Sequence, residues 1–187
     1  DVSSRLIYTW ATEISSYIKS IDQNHLVGTG EEGFDVSPTA YSVNSYNNQH
    51  WLFDGSAGVA FSANSVIPSI DFGSCHLYPE SWGLSYNAGN AWIRDHIRIA
   101  RASRKPLLVG EFGVRTQKAA TYDSWLTTAL LDGAAGAMVW QILEGPRTDR
   151  EGFGFLCSID VQLCSRFEEI GNKFIIKSQN GSLTPPR

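Results

Sequence analysis

The chain has 187 residues, 42% of them hydrophobic, with a formal charge of −4 and a pI near 5.5. That balance gives no general electrostatic pull toward nucleic acid or an anionic membrane. No run of eighteen apolar residues occurs, which excludes a helical membrane span, and the length is ample for a sizeable core.

Ser3 and Ser4 precede a helical stripe of Leu6, Trp10, Ile14, Tyr17, Ile18 and Ile21. Residues 25–30 then read as a strand that delivers Glu31 and Glu32. After Pro68, residues 70–75 form a second apolar run delivering His76, Leu77 and Tyr78. Trp92, His96, Ile97 and Ala100 repeat at helical spacing, and residues 105–113 carry a third strand with Glu111 at its C-terminal end, followed after Phe112 by a turn glycine. A helix through Tyr122, Trp125, Leu126, Ala129 and Leu130 stops at Asp132-Gly133, and residues 136–139 deliver Trp140 and Gln141.

The resulting order, α-β-α-β-α-β-α-β-α, predicts an α/β fold of parallel βα units, because buried parallel strands read as continuous apolar runs. A small doubly wound sheet is the competing architecture. Against it, the first element is a helix with no strand before it, and no Gly-rich phosphate loop follows any strand. A closed (β/α)8 barrel needs about 250 residues, so four strands in this length predict half a barrel. Half a barrel leaves open edges and an uncovered interior. An obligatory partner is therefore expected, either an absent N-terminal half or a second copy of the chain.

Arg94, Arg98, Arg101, Arg104 and Lys105 recur at steps that suit the solvated face and C-terminal end of one helix. Cys75 is expected to be a buried thiol; Cys157 and Cys164 would close a small disulfide loop if the chain is secreted. Asn180-Gly181-Ser182 is a glycosylation sequon compatible with secretion.

Six Trp and seven Tyr exceed the needs of such a core, and Trp51, Trp82, Tyr86 and Trp140 fall in predicted loops. Trp10, Trp92 and Trp125 belong to helical stripes and are expected in the core. Loop indoles beside strand-end carboxylates suit a sugar, whose ring stacks on an aromatic face while its hydroxyls bond to carboxylates and amides. Glycoside hydrolysis needs paired carboxylates, and Glu111 is the natural nucleophile. Tyr78 is placed to donate its phenol proton to Glu111, and His76, two residues earlier on the strand, faces the same side. Four scattered histidines give no metal site, and the chemistry requires no cofactor.

The segments Gly30-Glu31-Glu32-Gly33-Phe34, Ile70-Asp71-Phe72 running into His76-Leu77-Tyr78-Pro79-Glu80-Ser81-Trp82-Gly83, residues 106–113, and Val139-Trp140-Gln141 resemble the later half of endo-β-1,4-mannanases of glycoside hydrolase family 5. The resemblance spans nearly the whole chain, from the helix after the family's fourth strand to the helix after its eighth. It implies that residues 1–187 are one C-terminal half, strands 5–8, of a TIM (β/α)8 catalytic domain that is secreted and acts on mannan, glucomannan or galactomannan. It further implies Glu111 as nucleophile of a retaining displacement with Tyr78 and His76 as neighbours, and Trp140 as the sugar platform. Glu32 and Trp82 would hold sugars on the leaving-group side, and Glu31 would be a structural carboxylate; Arg147, Asp149 and Arg150 lie on the loop after the last strand, where they either line the cleft or, as loop charges more often are, are simply solvated. The family's acid/base, the glutamate of an Asn-Glu-Pro motif, would fall before Asp1. The alternatives are a catalytically dead mannan-binding or self-associating half-barrel, and a β-1,4-glucanase of the same family.

Overall fold

A computed structural model describes residues 4–146 and 149–180. Ser3, Arg147 and the Gly181-Ser182 part of the sequon lie outside the described residues. Helix α1 (Arg5–Ile21) opens the chain, followed by a long looped region that ends in one short helical turn, α2 (Phe61–Asn64). Then come β1 (Gly73–Leu77), α3 (Ala88–Ala102), β2 (Leu107–Phe112), α4 (Lys118–Asp132) and β3 (Gly136–Val139). A two-residue pair, β4 (Ile142–Leu143) and β5 (Phe155–Leu156), precedes the last helix, α5 (Val161–Gln179).

Strands β1, β2 and β3 form one parallel sheet in sequential order, with α3 packed on β1 and β2 and α4 on β3. Trp92 of α3 is fully buried against Phe34, Trp82 and His96, while Trp125 and Tyr122 of α4 pack with Phe112. The expected core placement of Trp92 and Trp125 is therefore met. Gly133 (φ 98°) ends α4 in the left-handed region, its N–H bonding Ala129 O at 3.1 Å. Cys75 is buried, and Cys157 is bonded to Cys164 at the approach to α5.

Three expectations need correction. Residues 25–30 do not form a regular strand. The segment runs beside β1, with Asp71 N–H bonding Val27 O at 2.8 Å and His76 N–H bonding Glu32 O at 3.0 Å. Its ladder is interrupted because Val27 N–H goes to the Asp71 side chain, and Gly30 and Gly33 have φ of 64° and 101°. Secondly, the region between this segment and β1 is not a full helix. It makes three 3₁₀ turns before α2, and the buried carboxylate of Asp35 gathers it by accepting from Tyr41 Oη, Ser62 N and Ser62 Oγ. Asp95 does the same from α3, accepting from Ser42 and Tyr46.

The third correction concerns α1. Ser4 makes no side-chain cap, and the apolar stripe is not core: Trp10 is 59% exposed and Leu6 69%. Only Ala11 and Ser15 are buried, the helix being tied down by a small cluster with Ile67 and Ile70 and by the Lys19–Asp71 pair at 2.6 Å. Trp10, Tyr17 and Ile21, on one side of α1, remain exposed at 59%, 63% and 70%. Met138 of β3 is likewise exposed, at 52%.

Candidate active site

The register between β1 and β2 creates the site. Cys75 pairs with Val109 and His76 pairs with Glu111, leaving Gly110 over as a bulge. A bulge re-aims the side chains beside it, and here it sets the Glu111 carboxylate opposite the His76 ring. Gly110 is required for the approach, since a Cβ there would meet Ser74 Oγ at 2.7 Å and the His76 ring at 3.3 Å.

Tyr78, just past β1, donates its hydroxyl to Glu111 Oε2 at 2.5 Å. Burial and then the Glu111 carboxylate hold the phenol far above its ordinary range, so Tyr78 remains the donor. His76 Nδ1 lies 3.0 Å from Glu32 Oε1 and 3.8 Å from Glu111 Oε2. Burial works against a charged imidazole, but the Glu32 hydrogen bond and the two carboxylate charges outweigh it and leave the His76 pKa raised. The backbone behind is fixed as well, for Trp92 Nε1 donates to His76 O at 2.8 Å.

These groups open on a cleft of about 640 Å³ lined by Glu32, Tyr78, Trp82, Glu111 and Trp140. The structure thus brings Glu32, Tyr78, Trp82, Glu111 and Trp140 to one cleft, with His76 bonded to Glu32 behind it. Trp140, 39% exposed, follows β3 and precedes a cis peptide to Gln141. Trp82 is only 7% exposed, its ring lodged against Phe34 and Trp92, so it is a wall more than an open platform. Glu31 faces away from its neighbour, toward Thr29 and Asn64, as a structural carboxylate. Asp149 and Arg150 do not line this cleft. Asp149 accepts from Glu151 N and Gly154 N and so builds its own loop, and Arg150 is exposed.

Three lining residues escaped sequence reasoning: Arg115, Glu151 and Phe153. They carry no motif: Arg115 is marked only by its place just after β2, and Glu151 and Phe153 only by the glycine-bearing loop between β4 and β5. A larger depression of about 880 Å³ lies between the starts of α4 and α5, but its lining has one carboxylate, Asp160, and no aromatic ring. The smaller cleft, with carboxylates facing indole and phenol rings, has the composition a sugar site needs.

The GH family 5 beta-mannosidase-like family matches residues 2–150 of the chain. Among curated relatives, the mannan endo-1,4-beta-mannosidase F of Aspergillus fumigatus is 39% identical over 140 residues, covering 74% of this chain and 30% of that protein. The mannan endo-1,4-beta-mannosidase A of Aspergillus aculeatus is 39% identical over 137 residues, 73% of this chain and 34% of the relative. The endo-beta-1,4-mannanase from Thermotoga petrophila superposes with a TM-score of 0.83 at 33% identity, over 93% of this chain and 41% of that one. The Rhizomucor miehei endo-1,4-beta-mannanase gives 0.80 at 32%, over 93% and 47%. The chain spans about a third of the length of the curated relatives it matches. With its parallel βα units superposing on part of the α/β fold of these enzymes, the chain belongs to the GH family 5 beta-mannosidase-like family.

Proposed function

We propose that residues 1–187 are the C-terminal half of a (β/α)8 catalytic domain of a retaining endo-β-1,4-mannanase, and that they supply its nucleophile and sugar platforms. The observation that carries this reading is the hydrogen bond from Tyr78 to Glu111 Oε2 inside a cleft walled by Trp140. Glu111 attacks the anomeric carbon; Tyr78 keeps its carboxylate aimed, and His76, bridging toward Glu32, fixes the neighbouring charge. Trp140 stacks beneath the sugar being cleaved, while Glu32 and Trp82 contact sugars on the leaving-group side. The acid/base belongs to a preceding half-barrel, whose absence costs a factor of order a hundred to ten thousand in protonating the departing oxygen. That half, or a second copy of this chain, covers the exposed Met138 and the stripe of α1. The substrate is a β-1,4-linked mannan, glucomannan or galactomannan, and the Cys157–Cys164 bond supports secretion into an oxidising compartment.

The test is to treat the chain, alone and mixed with an N-terminal half-barrel of a family relative, with linear mannan and with a 2-deoxy-2-fluoro-mannosyl fluoride. The fluoride leaves with little acid assistance, so a stable adduct mapped to Glu111 is expected even where mannan turnover is negligible. Adding the N-terminal half is expected to restore turnover. Efficient mannan hydrolysis by residues 1–187 as a monomer would sink the half-domain reading, and an adduct on another residue would sink Glu111.

A further inference from the structure

Arg115 lies in the loop after β2 and touches two other segments. Its backbone N–H and its Nη1 both donate to Glu80 Oε2, at 3.1 and 3.2 Å. Its Nε donates to Glu151 O at 2.9 Å, and its guanidinium carbon stands 4.4 Å from the centre of the Phe153 ring. Glu80 is held in turn by the Tyr86 hydroxyl, and Lys118 Nζ closes the same junction by donating to Arg115 O and Gly152 O. The loops after β1 and β2 and the loop between β4 and β5 are therefore fastened at Arg115, with Lys118 beside it.

Phe153 transmits that fastening to the chemistry. It is 5% exposed, and its ring meets the Tyr78 ring edge-on at 5.1 Å. A Cβ on Gly113 would lie 3.0 Å from Phe153, 3.0 Å from Tyr78 and 2.9 Å from Trp140 O, so the three surfaces close with no slack. The Tyr78 hydroxyl is anchored to Glu111, while its ring is braced by Phe153. We propose that Arg115 is a positioning residue for the nucleophile, pressing Phe153 against Tyr78 so that the Tyr78 hydroxyl stays directed at Glu111, with Glu80 as its anchor. This rests on reading Glu111 as the nucleophile. Arg115 acts through a flat stacked face and a fork of donors, which a lysine does not reproduce.

The experiment follows mannosylation of Glu111 by the 2-deoxy-2-fluoro-mannosyl fluoride in the full-length polypeptide: the carboxylate oxygen bonds to the anomeric carbon and fluoride departs. Arg115→Ala and Phe153→Leu are each expected to slow adduct formation about ten-fold, a plausible cost for small misplacement of reacting groups. Arg115→Lys should recover only part of the rate, and in all three variants the loss of rate should exceed any loss of mannohexaose affinity. In a Tyr78→Phe background, Arg115→Ala should have no further effect, because both act on one hydrogen bond. Effects that multiply, or a drop in mannohexaose affinity at unchanged rate, would mean that Arg115 holds sugar directly and would overturn the proposal. Phe153→Leu leaves the Arg115 hydrogen bonds intact, so it tests the relay even if Arg115→Ala unfolds. An unaltered protein that forms no adduct at Glu111 would instead defeat the nucleophile reading itself.

Discussion

Glu31 and Glu32 are neighbours in sequence and opposites in environment, because extended backbone turns successive side chains to opposite sides. Glu32 faces the cleft and His76, whereas Glu31 accepts from Thr29 Oγ1 at 2.7 Å and from Asn64 Nδ2 at 3.2 Å. Burial pushes the Glu31 carboxyl up to about 7, against the two hydrogen bonds that favour its charged form. Asn64 Oδ1 is meanwhile buried without a partner, an acceptor that a protonated Glu31 would satisfy after rotation of the amide. The sign follows directly: between 4.5 and about 7 the folded chain keeps a proton that the unfolded chain has released, so stability falls as pH rises through that window. Glu31→Gln is expected to remove the fall and to stabilise the protein at pH 8 by roughly 2–3 kcal/mol. Urea unfolding at pH 5 and pH 8 checks this, and an unchanged pH dependence in the variant would assign the titration elsewhere. Spacing alone showed two adjacent glutamates at a strand end and only the family resemblance separated their roles, because the segment's positive-φ glycines break the regularity from which facing could be read.

At the scale of elements, apolar runs located β1, β2 and β3, because a strand buried by helices must be apolar throughout. They missed the irregularity of residues 25–30, where the decisive facts are positive φ angles and the Asp71 side chain taking a ladder bond. They also missed the turns before α2, which are held by Asp35 and Asp95 across distances no local pattern reveals. The site was more legible than the fold around it. Glu111, His76, Tyr78 and Trp140 all stand at or just beyond the ends of strands, where the pattern of the chain changes abruptly from apolar to reactive. What stayed hidden was the bulge that aligns them. Gly110→Ala is expected to cost about 1–3 kcal/mol, the price of overpacking a close contact, since the added methyl meets Ser74 Oγ and must displace the His76 ring. Denaturant unfolding measures the loss, and a variant as stable as the parent would show that the strands have room to separate there.

For the whole molecule, Leu6, Trp10, Tyr17 and Ile21 expose large apolar side chains along one side of α1, and Met138 is exposed on β3, the kind of surface that marks an interaction site. Residues 1–187 on their own are therefore expected to self-associate at micromolar concentration, and Leu6→Gln with Trp10→Gln to shift the population toward monomer. Sedimentation velocity reads this directly; a monodisperse parent that leaves a hydrophobic dye dark would remove the case for a partner surface. Met138, exposed, and Trp140, on the cleft wall, are two residues apart, so both point to the same side of the chain at the end of β3. In the proposed assembly, an oligosaccharide lying there touches both sides of a joint and acts as a clasp, so that substrate, by mass action, helps to hold together the enzyme that cuts it.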